Sequence, residues 1–500
     1  MRNLLLGGLA ALTLSFGAAA PAAAATPTVG WRSFPDFVDP AIGYTQEAWN
    51  VTWATYTPLL TYAHAEGPAG LQLVPGLAEA LPQVSPDGRT YTLTLRAGLR
   101  YSNGKAVRAR DFEHAIKRVL HLESGGSAFF LGIRGAERYV KRGRARGDIA
   151  GITARGRTIT IRLDRADPAF PHVLAMQFAA VVPSSTPFEN MTRRPPAGVS
   201  PFRIARVRVG RSIELRRNAR FAVPGLPQAK LAAIRYVATR RPQTADVTSD
   251  ADVPGARRIP SISTYYMFLN TTTKPFDDER VRRAVHMGLD KPALIRASGV
   301  AMRPGCTFLP PELLGAARAA EPCPFGDPAA PPAQREQAKA QVAAAGAVGA
   351  KVSVYTNRES PARQLGTEYA RQLRDLGLNA RVKLVDPAAY FQTIGTDRRK
   401  AQTGFANWFL DFPHPTNFLF LVDPRSNQPV NNQNFSRNRD QAISAAIDQG
   451  RYDDADRIAV DKAYVVPYAH RDRSVLASKR VGCVVAHPLY EVDLASLCAP

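Results

Sequence analysis

The chain has 500 residues, more than a single hydrophobic core usually holds, so we expect two or three domains. Its hydrophobic fraction of 45% and charged fraction of 21% are typical of a globular protein and argue against a disordered chain. The formal net charge is +23, but the basic residues are scattered apart from one tight cluster at Lys141–Arg146. No zinc-finger spacing, RNA-binding aromatic motif or heptad zipper accompanies them, so we expect no nucleic-acid partner.

The N-terminus has the pattern of an export signal. Arg2 precedes the apolar run Leu4–Phe16, and alanines then lead to Ala25. We predict that residues 1–25 are a signal peptide cleaved near Ala25. A membrane anchor is the alternative, but the apolar run is shorter than the ~20 residues that a span needs. No cysteine follows the signal, so we expect a periplasmic or secreted protein without the usual lipoprotein anchor.

The four cysteines form two local pairs. In an oxidising compartment we predict the disulfides Cys306–Cys323 and Cys483–Cys498. Each would contribute roughly 3 kcal/mol in the chain-entropy model. A metal site is the alternative, but these spacings fit no common ligand pattern. We therefore expect neither a metal nor another cofactor.

The first part of the chain predicts short strands, tight turns and one amphipathic helix. Leu73–Ala80 predicts a short turn and helix, and Ser85–Gly88 predicts a tight turn. Apolar residues alternate with threonines over Tyr91–Leu95, which is the period of a half-buried strand. Phe112–Leu120 carries one apolar stripe and predicts a helix, and Asp111 lies near its positive N-terminal end.

The later part of the chain predicts strands that alternate with helices. Thr264–Asn270 is an apolar strand, and Glu279–Leu289 is a helix. Lys351–Tyr355, Pro361–Leu376 and Ala380–Val385 then follow as strand, helix and strand. This alternation argues for an α/β fold class.

The chain between Leu77 and Phe112 resembles the family 5 extracellular solute-binding proteins of ABC importers, the oligopeptide- and dipeptide-binding group. Arg108 stands where that family usually has threonine, so we expect a helix cap worth ~1 kcal/mol to be missing. Between Arg240 and Pro260 the chain is shorter than in that family, so we expect a trimmed first lobe. The matching segments are Leu77–Ala80, Ser85–Gly88, Tyr91–Gly98, Asn103–Gly104, Ala109–Phe112, Gly198–Phe202, Ile213–Asn218 and Val465–Tyr468.

The resemblance implies a type II periplasmic-binding-protein fold, with two α/β lobes around a ligand cleft and an extra domain inserted in the first lobe. The strand at Thr264–Asn270 would cross between the lobes. The implied divisions are 1–25 for the signal peptide, 26–44 for the first part of lobe I, 45–172 for the inserted domain, 173–266 for the second part of lobe I, 267–467 for lobe II, and 468–500 for the C-terminal return to lobe I.

One acid lies among aromatic residues in the segment Phe405–Pro415. Such an acid is desolvated unless a positive group pairs with it. Taken alone, the segment favours a core strand that ends in a turn, with Asp411 capping nearby amides. Trp408, Asp411, Phe412 and Pro415, however, are similar to a Trp-x-x-Asp-Tyr/Phe-x-x-Pro segment of the same family. In its peptide-binding members that aspartate binds the α-ammonium group of the peptide, which the resemblance implies for Asp411.

Further ligand-binding candidates follow from this likeness. Aromatic residues would line the cleft, with ordinary core packing as the alternative for each. A free dipeptide also needs a cation for its carboxylate, and Arg363 lies near the position where dipeptide-binding relatives carry one. An exposed arginine in the first turn of a helix is the alternative for that residue. The aromatic candidates are Trp408, Phe409, Phe412, Tyr265 and Tyr266.

The sequence contains no pattern of a known catalytic site. His-Glu-x-x-His, Gly-x-Ser-x-Gly and Walker motifs are absent, and the eight histidines are dispersed. The resemblance implies a monomeric, non-catalytic receptor that delivers peptides or a similar small solute to the membrane subunits of an ABC permease. The alternatives are the same fold with another nutrient, such as a metal chelate or glycan, and a secreted hydrolase.

Overall fold

The computed structural model of the protein describes residues 26–141, 147–249 and 255–500. The predicted signal peptide at residues 1–25 lies outside the described residues, as does the basic cluster after Lys141. In the part of the chain that is described, no helix has both the length and the apolar character needed to cross a bilayer.

Strands and helices alternate along much of the described chain, which confirms the predicted α/β class. The strands are β1 (Thr28–Trp31), β2 (Leu60–Tyr62), β3 (Leu73–Pro75), β4 (Gln83–Val84), β5 (Thr90–Thr94), β6 (Ile152–Arg155), β7 (Thr158–Arg162), β8 (Phe202–Arg208), β9 (Ser212–Arg217), β10 (Ala233–Ala238), β11 (Val247–Thr248), β12 (Arg257–Pro260), β13 (Ser263–Leu269), β14 (Met302–Pro304), β15 (Lys351–Asn357), β16 (Asn379–Val385), β17 (Thr403–Phe409), β18 (Val465–Ala477), β19 (Ala486–His487) and β20 (Glu491–Val492). The helices are α1 (Gln46–Thr55), α2 (Arg110–His121), α3 (Ala136–Lys141), α4 (Phe170–Val173), α5 (Glu279–Gly288), α6 (Lys291–Ser298), α7 (Ala316–Ala319), α8 (Arg335–Ala344), α9 (Ala362–Asp375), α10 (Tyr390–Ile394), α11 (Thr416–Leu419), α12 (Gln441–Asp448) and α13 (Tyr452–Asp461).

One large sheet runs through the two lobes that the resemblance implies. Its main path is β16-β15-β17-β13-β18-β11-β1-β10-β9-β8. In the predicted division, β1 and β8 to β11 belong to the first lobe, β14 to β17 belong to the second lobe, and β13 spans the boundary between them. The long strand β18 lies between them, since it pairs with β13 near its start and with β12 and β11 towards its end. The two lobes are therefore joined through the hydrogen bonds of a single strand.

A separate four-stranded sheet has the order β4-β5-β7-β6. In β5, Tyr91 and Leu93 are buried and lie opposite Ile161 and Ile159 of β7. The alternation that predicted this half-buried strand is therefore confirmed. The sheet falls within the segment predicted as the inserted domain, and the residue boundaries of the lobes and of the insertion stay predictions.

The helix predicted within Leu73–Ala80 is wrong. Leu73–Pro75 is strand β3, paired with β2. Extended chain follows, in which the N–H groups of Gly76 and Ala78 donate to the carbonyl of Leu59. Proline and glycine are poor helix formers, and neighbouring strands take the backbone donors that a helix would use.

Helix α2 lacks a side-chain cap at Ala109, the residue before its first turn. The carboxylate of Asp111 instead accepts the N–H of Arg108 at 3.0 Å and that of Ser184 at 3.1 Å. It also accepts the hydroxyl of Tyr101 at 2.9 Å. The buried acid in the first turn thus satisfies local donors where the usual threonine is missing.

A fully buried ion pair joins the N-terminal segment to α2. The Arg118 guanidinium donates to both carboxylate oxygens of Asp39, at 3.0 and 2.7 Å. Asp39 also accepts the N–H of Met191, and Arg118 also donates to the carbonyl groups of Pro187 and Glu189. Three chain segments distant in sequence therefore meet at one pair of charges.

The cysteines lie in the two predicted pairs. The Cα atoms of Cys306 and Cys323 are 5.8 Å apart, and those of Cys483 and Cys498 are 5.5 Å apart, both within disulfide range. Arg318 lies in the loop that the first pair closes, and it forms a buried ion pair with Asp456 at 3.0 Å. Burial raises the pKa of Asp456 to about 6.

We expect Asp39→Ala to reduce the free energy of unfolding by about 3–5 kcal/mol, because it leaves the Arg118 charge buried without its partner. Urea unfolding followed by circular dichroism measures this loss. Arg280→Ala is the matched control, since it breaks an ion pair with Asp278 at the surface and should change the midpoint very little. Equal losses in the two variants would contradict a special role for the buried pair.

Candidate functional site

The predicted aromatic residues lie on two adjacent antiparallel strands, β13 and β17. Successive side chains of a strand point to opposite faces. Tyr265 and Phe409 consequently share one face, with ring centroids 6.0 Å apart. Tyr266 and Trp408 lie on the other face. The structure thus divides the predicted cleft aromatics between the two faces of the sheet.

The face that carries Tyr266 and Trp408 packs against other aromatic rings. Tyr266 is only 2% exposed, and its ring meets the ring of Phe308 edge to face at 5.1 Å. Trp408 is half-buried and meets Phe420 in the same way at 5.2 Å. Both side chains therefore contribute to core packing in this conformation.

Asp411 lies two residues beyond the end of β17 and is buried. Its carboxylate accepts Asn417 Nδ2 at 3.0 Å and the hydroxyl of Tyr44, and its own N–H donates to Asn417 Oδ1 at 2.8 Å. Burial raises the pKa of Asp411 to about 6, although the two hydrogen bonds work against the rise. Burial, followed by the charge of Asp411, also raises the pKa of Tyr44.

The segment around Asp411 contacts parts of the chain that precede the second lobe. Tyr44 lies before α1. Phe412 is 5% exposed, and its ring centroid is 6.0 Å from that of Phe129 and 6.4 Å from that of His172. Burial lowers the pKa of His172 to about 4, and the nearby His414 adds to the lowering. Asp411 and Phe412, from the predicted second lobe, therefore contact residues of the predicted first lobe and of the predicted inserted domain.

Beyond Gly404, strand β17 has an edge that β15 does not cover. Among the described residues, β15 pairs with β17 only at Thr403 and Gly404. The hydroxyl of Tyr390 then caps both the N–H and the carbonyl of Phe405. Because backbone groups alternate in direction along a strand, those of Asn407 and Phe409 point to the same side as those of Phe405. This side is open to an added strand.

A cavity of about 270 Å³ lies at this edge, and we call it the strand-edge pocket. Tyr265, Phe405 and Asn407 line it from β13 and β17, and Asn357 lines it where β15 ends. Phe391, which is 54% exposed, forms part of another wall. The pocket is mainly apolar with two amide side chains, a composition suited to a small organic ligand.

Arg363 does not line the strand-edge pocket, although Pro361 and Ala362 do. It is exposed in the first turn of α9 and lines a shallow hollow with Ser360, Gln364 and Thr367. This hollow shares no lining residue with the strand-edge pocket. The contact of Arg363 with a ligand carboxylate stays a prediction.

Four polar residues of the site were not found from the sequence. Tyr44 and Tyr390 belong to no motif, whereas Asn407 lies within the predicted segment Phe405–Pro415 without having been singled out. Asn417 alone gives a signal, because it follows Asp411 by six residues in the first turn of a helix that begins after Pro415. Within the described ranges, no group of three or more His, Cys, Asp or Glu side chains is placed to hold a metal ion.

Relatives of the chain bind peptides, as their names state. Dipeptide-binding protein DppE of Bacillus subtilis (strain 168) is 26% identical over 288 residues, which are 52% of this chain and 51% of that protein. Periplasmic murein peptide-binding protein MppA of Escherichia coli (strain K12) is 24% identical over 433 residues, 79% of each chain. The match therefore spans about half the length of the first relative and most of the second.

Solved structures share the whole fold. Clavulanic acid biosynthesis oligopeptide binding protein 2 superposes with a TM-score of 0.83 at 24% identity, covering 95% of this chain and 96% of that one. The unliganded open form of MppA gives a TM-score of 0.76 at 21% identity, covering 95% and 98%. These likenesses confirm the predicted two-lobe fold.

The family itself is shown by a sequence match. Residues 72–429 match the family described as bacterial extracellular solute-binding proteins, family 5 Middle. The matched range includes β13, β17 and Asp411, whereas Tyr44 lies before it. Because this match covers well over half of the chain, the protein belongs to family 5 of the bacterial extracellular solute-binding proteins.

Proposed function

We propose that the protein captures short peptides outside the cytoplasmic membrane and passes them unaltered to the membrane subunits of an ABC permease. The observation that carries this proposal is the buried carboxylate of Asp411 at the contact between the two sides of the molecule, beside the open edge of β17. The names of the relatives DppE and MppA support a peptide as the solute. The proposed form is a monomer released by cleavage near Ala25.

The α-ammonium group of the peptide would bind Asp411. The carboxylate already accepts two hydrogen bonds, from Asn417 and Tyr44, but both donors are neutral. A cationic donor forms a stronger, charge-assisted bond to a desolvated carboxylate. The ammonium would take the place of the Tyr44 hydroxyl, while Asn417 keeps the carboxylate oriented.

The peptide backbone would extend the sheet. The groups of Asn407 and Phe409 that point away from β13 offer donors and acceptors to an added strand. One side chain of the peptide would then enter the strand-edge pocket, where Tyr265 and Phe405 supply apolar surface. Main-chain pairing is independent of side-chain identity, so such a site accepts many sequences.

No covalent step belongs to this proposal. Binding between the lobes stabilises the closed arrangement because the ligand contacts both sides at once. Release follows when the lobes separate at the permease. Native mass spectrometry of the purified mature protein distinguishes a retained peptide from a metal chelate or a glycan, and turnover assays with ester and peptide substrates test for a hydrolase.

We expect Asp411→Asn to weaken peptide binding by about tenfold to a hundredfold, since a hydrogen bond to a charged group contributes ~1.5–3 kcal/mol. Titration calorimetry measures this with a peptide selected by native mass spectrometry from pooled synthetic tripeptides and tetrapeptides. The N-acetylated form of that peptide should bind the wild-type protein as weakly as the free peptide binds the variant.

Asp375→Asn is the matched control, because it removes a partly exposed carboxylate on α9 that forms an ion pair with Arg371 of the same helix. It should leave the affinity unchanged. Unchanged affinity in Asp411→Asn as well would remove Asp411 from the binding site.

Peptide affinity should also depend on pH through Asp411. The pKa of its carboxylate is raised to about 6, so the unliganded site gains a proton as the pH falls below that value. The peptide ammonium keeps its proton throughout this range, since its pKa is near 8. We expect affinity to be level near pH 7, where the ammonium is still mostly protonated, and to fall by up to tenfold per pH unit below about pH 6.

The same titration with Asp411→Asn should show no such fall between pH 5 and 7. Calorimetry at half-unit steps, with circular dichroism to confirm folding at each pH, separates the two profiles. Parallel profiles would show that another group controls the pH dependence.

A further inference from the structure

A cavity of about 400 Å³ lies on the predicted inserted domain, and we call it the arginine cavity. All of its lining residues fall between Leu95 and Arg157. As the structure describes it, this lining has no residue in common with the strand-edge pocket and no hydrogen-bond partner of Asp411. A ligand in the arginine cavity would therefore leave the proposed peptide site free.

Backbone hydrogen bonds bring the arginines of this cavity together from three stretches of the chain. The N–H of Leu95 donates to the carbonyl of Arg157 at 2.8 Å, which places Arg157 beside the end of β5. The N–H of Val107 donates to the carbonyl of Leu99 at 3.0 Å, so the chain that leads into α2 runs back past Leu99. The arginines that line the cavity are Arg96, Arg100, Arg108, Arg110 and Arg157.

The positive charge of this lining has little to balance it. Among the described residues, the lining contains no acidic side chain. Arg157 forms an ion pair with Glu79, whose side chain is 45% exposed. Within the described ranges, no carboxylate forms an ion pair with any of the other four arginines. A cavity lined by charges of one sign raises the local concentration of ions of the opposite sign.

Two of these arginines are oriented by backbone carbonyl groups. Arg96 Nε donates to the carbonyl of Gly76 at 2.9 Å, and Arg100 Nη1 donates to that of Gly104 at 3.0 Å. A guanidinium has several further N–H donors, so each side chain can still bind an anion. Because these side chains are already held, less conformational freedom is lost when an anion binds.

Arg108 and Arg110 are exposed beside the start of α2. The nearby acid Asp111 does not line the cavity, and its carboxylate accepts the N–H groups of Arg108 and Ser184 and the hydroxyl of Tyr101. Asp111 thus satisfies local donors around the first turn of the helix. The guanidinium groups of Arg108 and Arg110 remain without a carboxylate partner among the described residues.

The chemistry of the lining favours an organic phosphate. Leu95 and Leu99, which are 3% and 8% exposed, add apolar surface between the arginines, which suits an organic group. Guanidinium groups bind phosphate oxygens through two parallel hydrogen bonds. A phosphate monoester carries close to two negative charges at neutral pH, against one for a carboxylate. Several guanidinium groups without acidic partners therefore match phosphate better than a single carboxylate.

We propose that the arginine cavity binds the phosphate ester groups of an organic anion. The inference goes beyond the proposed function and does not rest on it, because the cavity is separate from the proposed peptide site. The phosphate ester comes either from a soluble sugar phosphate or from the headgroup of an anionic phospholipid. The inserted domain would hold this ligand while the cleft is free to take up its solute.

Two probes test the proposal and distinguish the two sources. Fructose 1,6-bisphosphate is titrated into the mature protein by calorimetry, with fructose as the uncharged comparison. Vesicles of phosphatidylglycerol, which are anionic, are compared by co-sedimentation with vesicles of phosphatidylcholine, which carry no net charge. We expect the protein to prefer the anionic probe by about tenfold or more in at least one of these comparisons. Binding of neither anionic probe would overturn the proposal.

Variants then locate the site. Arg108→Gln combined with Arg110→Gln should weaken binding of the anionic probe by about tenfold or more, because two charged donors are removed. Arg206→Gln combined with Arg208→Gln is the matched control, since it removes the same charge from exposed positions on the outermost strand β8. It should weaken binding by less than about twofold, as expected for the general attraction of a basic chain.

Equal losses in the two double variants would overturn the proposal, because the attraction would then have no particular site. Thermal unfolding followed by circular dichroism confirms that each variant is folded. Arg100→Gln, at another exposed position of the lining, should weaken binding in the same direction and provides a second test if the double variant does not fold.

Peptide affinity separates this inference from the proposed function. The variant with Arg108→Gln and Arg110→Gln should bind the selected peptide as tightly as the wild-type protein does. A loss of peptide affinity in this variant would overturn the separation of the two sites. If the wild-type protein binds no peptide, the proposed function fails, whereas arginine-dependent binding of a phosphate probe would still support the arginine cavity.

Discussion

The desolvated carboxylate of Asp411 is the constraint on which the proposed binding site depends. Among the described residues no cation pairs with it, and only the amide of Asn417 and the hydroxyl of Tyr44 donate to it. An ionised carboxylate in such surroundings is less stable than in water, which is why its pKa rises to about 6. A cationic ligand would remove this disadvantage, so in the proposed function capture of the solute and approach of the lobes would favour each other.

The sheet explains how this carboxylate is held in place. β17 pairs along its whole length with β13, and the N–H of Leu410 extends the pairing by donating to the carbonyl of Ile262. Pro413 and Pro415 then prevent the strand from continuing. Helix α11 begins at Thr416, and Asn417 in its first turn binds back to Asp411. The end of the strand and the orientation of Asp411 are therefore both set by the short segment that runs from Asp411 to Asn417.

The sequence predicted the α/β class, many helices and strands, and the segment around Asp411. These features depend on periodicity or on family-like runs of residues, and both are local. The division of the aromatics between two faces was not predicted, because it depends on the register of β13 and β17. Tyr44 was missed because it reaches Asp411 from a segment more than 350 residues earlier in the chain.

The wrong helix prediction has the same cause, because contacts between distant segments cannot be read from local sequence patterns. Leu73–Ala80 has the composition of a turn and helix, yet the carbonyl groups of Pro58 and Leu59 take its backbone donors. Patterns along the chain identify elements, but the partners of a polar group become known only when distant segments are brought together.

The position of Arg471–Ser474 within β18 has a mechanical consequence. This stretch is partly exposed, and it lies between the buried residues that pair with β13 and the residues that pair with β11. Any rotation of one lobe against the other must be absorbed by the backbone here and in the neighbouring β12. A rotation of one lobe against the other would therefore displace the charged side chains of this stretch together with its backbone.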